Sequence, residues 1–137
     1  MLTIAIIGKN EANNLLNLFT SLQPITIPKE ILYIDSASTD ASVILAKEHA
    51  NKIIVLEDSP HLCAAAGRYV ATQEARYDWI LFLDGDMVLE IDFIEFLNSK
   101  KFQTYSSDIG GFIGYYEYLY KDGSSDTNRL LQAPETI

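Results

Sequence analysis

The chain has 137 residues, enough for one domain with a sizeable core, and its 48% hydrophobic and 21% charged residues are typical of a folded globular protein. Its net charge of −9 argues against nucleic acid or an anionic membrane as the main ligand, so a phosphate ligand would need a metal ion or a local pocket. Cys63 is the single cysteine, which excludes an internal disulfide and is compatible with a reducing cytoplasm.

Apolar runs of strand length alternate with segments of helical spacing, which predicts an α/β fold with a mainly parallel sheet and helices on both faces. The predicted strands are 2–7, 30–34, 52–56, 79–83 and 108–120, and the predicted helices are 11–22, 40–50, 62–75 and 90–98. A hairpin turn is expected at 121–124 and a further helix from 128 to 132. No stretch reaches the roughly 18 apolar residues of a membrane-spanning helix, and the apolar start has no basic leader.

Two of the predicted helices carry a stripe of apolar side chains that should face the sheet. The stripe consists of Leu15, Leu18, Phe19 and Leu22 in the first helix and of Ile91, Ile94 and Leu97 in the fourth. The polar loop before the second helix offers Thr39 or Asp40 as the N-cap, because both side chains can accept a hydrogen bond from a free helix amide.

The most informative segment is the fourth strand together with Asp84-Gly85-Asp86, which follows it. A short apolar run bounded by turn residues indicates a strand buried on both faces, and open α/β sheets bind ligands at the carboxyl ends of their strands. Two carboxylates there are electrostatically costly without a cation, and a hard divalent cation is the usual partner. The plainer alternative is a solvated turn, because Asp and Gly are common turn residues.

Two further polar clusters follow the first and second strands, and right-handed crossovers should bring them to the same sheet edge. These clusters are Gly8, Asn10 and Glu11 after the first strand, and Asp35, Ser36 and Ser38 after the second. Their convergence with the two acids after the fourth strand favours a metal site over a solvated turn. Glu11 as an acid favoured by the helix dipole, and residues 35–40 as a capping loop, remain alternatives.

Four segments resemble, in order and spacing, motifs of a family 2 glycosyltransferase with the GT-A fold. Residues 6–11, Ile-Ile-Gly-Lys-Asn-Glu, are similar to that family's first strand ending in Asn-Glu, and residues 33–40 resemble its Val-Asp-Ser-Gly-Ser-Thr-Asp loop. Residues 64–68 are similar to its Ala-Arg-Asn helix start, and residues 78–86 resemble its Asp-Tyr-Ile-Leu-Phe-Leu-Asp-Ala-Asp run. The resemblance covers about residues 2–98 and implies a Rossmann-like, three-layer α/β/α domain that is incomplete at its C-terminal end.

In that family the Asp-x-Asp motif binds the donor, so the resemblance implies roles for several residues. Asp86 would hold Mn²⁺ or Mg²⁺ between the phosphates of a nucleotide-diphosphate sugar, and Asp84 would contact the ribose or share the metal. The other donor-binding residues implied are Gly8, Asn10, Glu11, Asp35, Ser36 and Arg68. Ser36 stands where many members carry an Asp that recognises uracil, which leaves the base open, and Arg68 as a plain surface residue is the alternative.

The general base is not identified by the sequence. In the family it comes later in the chain, and Glu117 and Asp122 stand in the corresponding region but in a different sequence context. A full domain of the family is also longer than this chain. We therefore expect residues 1–137 to form a single nucleotide-sugar-binding domain, either truncated relative to a full transferase or a degenerate member.

The function implied by the resemblance is metal-assisted, inverting transfer of a sugar from a nucleotide donor to a saccharide or lipid-linked acceptor of the cell envelope. The expected location is the cytoplasm, including peripheral association with the inner face of the membrane. Apolar surface left by an incomplete domain would favour a homo-oligomer. The alternative is a non-catalytic fragment that binds a nucleotide sugar. A nucleotidyltransferase is a weaker interpretation, because Gly8 is the only glycine directly after the first strand.

Overall fold

The computed structural model describes residues 1–104, 111, 116–119 and 123–128. The chain divides into two compact units, Met1–Thr104 and Tyr105–Ile137, and each is described by itself. The expected single domain over residues 1–137 stays a prediction. None of the helices in the described ranges combines the length and the apolar composition that crossing a bilayer requires.

The first unit is built on a four-stranded sheet in which all neighbouring strands are parallel. Its strands are β1 (Leu2–Gly8), β2 (Lys29–Asp35), β3 (Lys52–Val55) and β4 (Ile80–Asp84). The strand order is β3-β2-β1-β4, so β1 lies between β2 and β4. The register places Gly8 beside Asp35 and Ile7 beside Asp84, so three strands end side by side. The predicted mainly parallel α/β sheet is confirmed.

Five helices belong to the described part of this unit. They are α1 (Leu15–Leu22), α2 (Ser42–Ala46), α3 (Ala64–Glu74), α4 (Ile91–Asn98) and α5 (Lys100–Gln103). Ala71 of α3 packs on one face of the sheet, in a cluster that includes Ala5 and Ile34. Side chains alternate between the two faces of a strand, and on the opposite face Ile4 and Ile6 are also completely buried. Both faces of the sheet are therefore covered.

The apolar stripe predicted for α1 is confirmed, because every member is at most 4% exposed. Its members are Leu15, Leu18, Phe19 and Leu22. The helix begins at Leu15 and not at residue 11, so its predicted start is wrong by four residues. The physical reason is that the amides of Glu11 and Ala12 donate to side chains near the start of α2, which holds this segment outside the helix.

The second helix also differs from its prediction. Its N-cap is Ala41, and neither Thr39 nor Asp40 occupies that position. Asp40 nevertheless accepts the N–H of Ser42 at 2.9 Å, which is the hydrogen bond expected of a capping side chain. The regular helix ends at Ala46 and is followed by turns up to residue 49.

The sequence-based elements did not include α5, which follows α4 directly. Its N-cap is Ser99, whose hydroxyl oxygen accepts the N–H of Phe102 at 3.2 Å. Phe102 is 5% exposed, so this short helix serves to bury one aromatic ring. A serine three residues before a large apolar residue was the available signal.

Two predictions of burial are wrong. β4 is not buried on both faces, because Phe82 is 36% exposed whereas Leu83 is 6% exposed. β4 is the last strand of this sheet, and α3 packs on β1 and β2, which leaves the face that carries Phe82 less covered. In α4, Ile94 and Leu97 are buried but Ile91 is 55% exposed. A spacing of three residues drifts by about 60° per step around a helix, so the three cannot share one narrow face.

The second unit contains a hairpin of β5 (Tyr116–Leu119) and β6 (Ser125–Asn128), in which Leu119 lies opposite Ser125. The antiparallel pairing is the one that the predicted hairpin requires, and residues 121 and 122 of the predicted turn lie outside the described residues. The predicted strand over 108–120 is wrong at Gly111, which is not in a strand, and its other residues before Tyr116 lie outside the described residues. The predicted helix from 128 is wrong at Asn128, which ends β6, and 129–132 lie outside the described residues.

We expect Ala37→Gly to stabilise the protein. Ala37 has φ 59°, a left-handed conformation that costs a residue with a Cβ about 1–2 kcal/mol. Glycine avoids that cost. It also gives the unfolded chain more conformational freedom, which lowers the free energy of unfolding by about 0.4–1 kcal/mol. The free energy of unfolding, measured in urea, should rise by about 0.5–1 kcal/mol. The matched control is Ala65→Gly in α3, where the helix should lose up to about 1 kcal/mol. A loss in both variants would contradict this expectation.

Candidate functional site

The carboxyl edge of the sheet brings together the polar segments that follow β1, β2 and β4. The N–H of Ser36 donates to the carbonyl of Gly8 at 2.8 Å, which joins the segment after β2 to the end of β1. The N–H of Gly85 donates to the carbonyl of Ile7 at 2.9 Å, which does the same for the segment after β4. The three polar clusters therefore start from neighbouring points of one edge.

Asn10 connects the first loop (residues 9–14) to the second loop (residues 36–41). Its N–H donates to Ser38 Oγ at 2.8 Å, and its Oδ1 accepts the N–H of Thr39 at 2.8 Å. Asn10 has φ 58°, a conformation that asparagine tolerates better than most residues. Its amide oxygen is thus engaged within the protein, and its predicted part in donor binding stays a prediction.

The next two amides of the first loop are held by side chains from the start of α2. Glu11 N–H donates to Ser42 Oγ at 2.8 Å, and Ala12 N–H donates to Asp40 Oδ2 at 3.0 Å. Ser42 is completely buried, and its hydroxyl donates to Asp40 Oδ1 at 2.5 Å. Sequence reasoning missed Ser42, since its partner lies 31 residues away and no local pattern indicates such a contact.

Asp35 is completely buried, and its carboxylate is used inside the protein. Ser38 donates its N–H to Oδ2 at 2.7 Å and its hydroxyl to Oδ1 at 2.6 Å, and the Tyr33 hydroxyl donates to Oδ1 at 3.2 Å. Burial and the neighbouring Asp35 carboxylate raise the pKa of Tyr33 well above that of an ordinary phenol, so the hydroxyl keeps its proton. The buried carboxylate of Asp35 therefore fixes the second loop through its hydrogen bonds with Ser38.

Gly8 and Ser36 lie next to each other where β1 and β2 end, and this part of the carboxyl edge is here called the floor. A Cβ on Gly8 would lie 2.9 Å from the hydroxyl oxygen of Tyr33, so only glycine fits there without displacing a buried side chain. Ser36 is 8% exposed and donates its N–H to Gly8, as described above. Both residues stand where the resemblance implies a nucleoside pocket, and this role stays a prediction.

Glu11 lies over Gly85, between the ends of β1 and β4. A Cβ on Gly85 would be 2.6 Å from Glu11 Cγ and 3.0 Å from Glu11 Cβ, distances at which side chains must shift. The Glu11 carboxylate accepts a hydrogen bond from Asn14 Nδ2 at 2.7 Å. The glycine between the two acids thus accommodates the side chain of Glu11 from the protein itself.

The two acids after β4 have different surroundings. Asp84 Oδ1 accepts a hydrogen bond from Arg68 Nη2 of α3 at 2.7 Å, and the two side chains are 41% and 39% exposed. Asp86 lies on the following turn, closed by the N–H of Met87 and the carbonyl of Asp84 at 3.0 Å, and it is exposed. One carboxylate is therefore balanced by a cation, and the other is open to a ligand.

A second ion pair lies at the same edge, where Lys9 of the first loop is 3.9 Å from Asp58. Both side chains are largely exposed, so the pair contributes little to stability. Because β2 lies between β1 and β3, this contact passes over the end of β2. Lys9 was not among the predicted site residues.

The remaining candidates lie apart from this edge or outside the described side chains. His49 stacks on Phe19 of α1 with ring centroids 4.8 Å apart, so it has a packing role. Glu117 lies in β5, where only the backbone is described, and Asp122 lies outside the described residues.

The sequence and fold of this chain are similar to those of known glycosyltransferases. The family model described as "Glycosyl transferase family 2" matches residues 3–130. An uncharacterized glycosyltransferase of Rickettsia bellii is 35% identical over 81 residues, which are 59% of this chain and 26% of that protein. Crystal structures of S. aureus TarS residues 1–349 are similar in fold. The complex with UDP has a TM-score of 0.52 at 23% identity, and the complex with UDP-GlcNAc 0.58 at 22%.

The shared fold covers 62–69% of this chain and 27–29% of the two TarS chains. The parallel sheet with acids at its carboxyl edge defines an α/β domain of the GT-A type. The match over nearly the whole chain shows further that this protein belongs to glycosyl transferase family 2. It spans about a quarter of the length of the relatives it matches.

We expect Gly85→Ala to destabilise the protein by about 1–3 kcal/mol, because the new Cβ would overlap Glu11. The free energy of unfolding in urea measures this loss. In a Glu11→Ala background the same change should cost less, since the overlapping Cγ is absent. Gly111→Ala is the matched control, because among the described residues no atom lies within 4 Å of its added Cβ. Equal costs in both backgrounds would show that Glu11 does not occupy this space.

We expect Asp40 to contribute stability that depends on pH. The hydrogen bond from the Ser42 hydroxyl, together with backbone N–H groups, lowers the pKa of Asp40 from its ordinary value. Because the folded-state pKa is the lower one, this stability is present above the unfolded pKa of about 3.9 and is lost as the pH falls through the folded pKa. The difference in unfolding free energy between the natural protein and Asp40→Asn should narrow as the pH falls below 4. A constant difference would argue against this linkage.

Proposed function

We propose that this chain provides the donor-binding part of a glycosyltransferase that moves a sugar from a nucleotide-diphosphate sugar to a saccharide or lipid-linked acceptor. The observation that carries the proposal is the position of Asp84 and Asp86 at the carboxyl edge of the sheet in a member of glycosyl transferase family 2. Open α/β sheets bind nucleotides in this crevice. An acidic edge suits a donor whose phosphates arrive with a cation.

The choice of donor rests on chemistry and on a structural neighbour. TarS, which shares the fold, has been crystallised with UDP and with UDP-GlcNAc. The net charge of −9 repels an anion at long range, so a diphosphate must be held by local groups. The floor formed by Gly8 and Ser36 is the proposed position of the nucleoside. Asp35, which is completely buried, supports that floor and does not contact the donor in this proposal.

Asp84 and Asp86 suit Mn²⁺ or Mg²⁺, because carboxylate oxygens are the ligands that these hard cations prefer. Within the described residues, no group of three or more His, Cys, Asp and Glu side chains forms a fuller metal site. Such a partial donor set fits an ion that takes its other ligands from substrate phosphates and water, as Mg²⁺ commonly does. The ion would neutralise charge on the departing nucleoside diphosphate.

Arg68 is the proposed direct partner of the diphosphate. A guanidinium carries five N–H donors, and the hydrogen bond to Asp84 uses one of its nitrogens, so further donors remain for a phosphate oxygen. Because Asp84 is neutralised by Arg68, Asp86 is the proposed principal metal ligand. Glu11 is the proposed neighbour that limits the approach to both acids, since it lies over Gly85.

The proposed reaction forms a bond between an acceptor oxygen and the anomeric carbon while the bond to the diphosphate breaks, with inversion at that carbon. The acceptor proton passes to a general base. Glu117 and Asp122 remain candidates for that base on sequence grounds alone. We propose a cytoplasmic location, at or near the inner face of the membrane, where such a donor and a lipid-linked acceptor would meet.

A donor-binding module without turnover is the second candidate. The observation that favours it is that Asp84, Asp86 and Arg68 at the carboxyl edge all have donor-binding roles in this proposal, and none of them serves as a general base. The two candidates share the donor site and differ in chemistry. Release of free sugar or nucleoside diphosphate from a nucleotide sugar, measured over hours, separates them.

We expect UDP or GDP to bind in the presence of Mn²⁺ and to bind at least about tenfold more weakly in EDTA, because the diphosphate needs the cation on this acidic edge. Isothermal titration calorimetry measures the affinity. Asp86→Ala should remove the effect of Mn²⁺ without altering the far-UV circular dichroism spectrum.

The matched control is Asp78→Ala, because Asp78 is an exposed acid that precedes β4 at the opposite edge of the sheet. It should bind like the natural protein. Binding that is equal with and without metal, or a metal effect that survives Asp86→Ala, would overturn the assignment of Asp86.

A further inference from the structure

Asp40 and Ser42, here called the loop clamp, join the start of α2 to the first loop. The Ser42 hydroxyl accepts the N–H of Glu11 at 2.8 Å and donates to Asp40 Oδ1 at 2.5 Å. Asp40 Oδ1 also accepts the N–H of Ser42 at 2.9 Å, and Oδ2 accepts the N–H of Ala12 at 3.0 Å. One carboxylate and one hydroxyl therefore fix two consecutive amides of the first loop.

The amides held by the loop clamp are those that orient Glu11. Fixing the N–H groups on both sides of its Cα restricts the backbone from which the Glu11 side chain extends over Gly85. Gly85 is the residue between the two proposed donor-binding acids. A continuous series of contacts thus runs from the loop clamp through Glu11 to the Asp84-Gly85-Asp86 turn.

The loop clamp differs from an ordinary core interaction. Asp40 is exposed, and its hydrogen bonds reach a loop and the first turn of a five-residue helix, with no bond to the strands of the sheet. The hydrogen bonds to its carboxylate are charge-assisted, so they are stronger than those between neutral groups. Such bonds restrict a loop before a ligand arrives, which lowers the entropy that binding must remove.

We infer that Asp40 and Ser42 are positioning residues for the nucleotide-diphosphate donor, which hold the first loop and Glu11 in the arrangement that the donor binds. This inference rests on the proposed function. The loop clamp touches neither the donor nor the reacting atoms. Its loss should therefore weaken binding by freeing the first loop while the sheet and its acids stay intact.

The test compares Ser42→Ala and Asp40→Asn with Glu48→Gln, which removes one exposed negative charge just beyond α2 and no part of the loop clamp. Titration calorimetry with UDP and Mn²⁺ measures affinity well below the melting temperature. We expect both clamp variants to bind about tenfold more weakly and the control to bind like the natural protein. Asp40→Asn changes only an exposed side chain, so it tests the inference even when Ser42→Ala does not fold.

Amide hydrogen exchange of the unliganded protein supplies the readout that separates positioning from stability. In both clamp variants, exchange should rise at residues 10–14 and stay unchanged in β1 and β4. Weaker binding together with this local increase supports the inference. Unchanged affinity of the variants overturns it, and so does a general increase of exchange across the sheet. A natural protein that binds neither UDP nor GDP would overturn the proposed function, and this inference with it.

Discussion

The pairing of β1 with β2 on one side and with β4 on the other is the constraint on which the candidate site depends. All seven residues of β1 are buried, so a slip of its register by one residue would exchange the side chains packed on its two faces and move Gly8 away from Asp35. The carbonyls of Ile7 and Gly8 bind the segments that follow β4 and β2. Three polar segments, separated widely in sequence, are thereby held at one edge.

Acids of one chemical type serve different purposes at this edge because their surroundings differ. Asp35 is buried and saturated by hydrogen bonds from its own loop, so it acts as a support. Asp84 is balanced by Arg68, whereas Asp86 is exposed on a turn. These differences in the surroundings of Asp35, Asp84 and Asp86 explain how a strongly acidic chain keeps several carboxylates near one another. Each is given a donor, a cation or solvent.

The spacing of apolar residues along single elements predicted the structure well. The stripe of α1 and the apolar run of β1 reflect burial along a single element, and both were found where expected. Burial of β4 and of Ile91 was predicted wrongly, because it depends on which helices cover which strands and not on the local pattern. Ser42 escaped notice for a related reason, since its partner lies 31 residues away and a single serine carries no periodic signal.

The sequence predicted which residues lie at the candidate site, but it did not predict how those residues contact one another. Gly8, Asp84 and Asp86 were expected at one edge because strand ends follow from topology. The burial of Asp35 and the overlap between Glu11 and Gly85 are three-dimensional facts that no spacing rule contains.

The position of β4 at the end of its sheet has a practical consequence for anyone who dissects this protein. Within Met1–Thr104, β3 and β4 are the outer strands, and the backbone donors and acceptors on their outward sides have no strand beside them. A fragment cut after Thr104 would therefore present two pairing surfaces and the exposed ring of Phe82 to its own copies. Such a fragment calls for charged or proline substitutions along those strands before its behaviour in solution is taken to represent the natural chain.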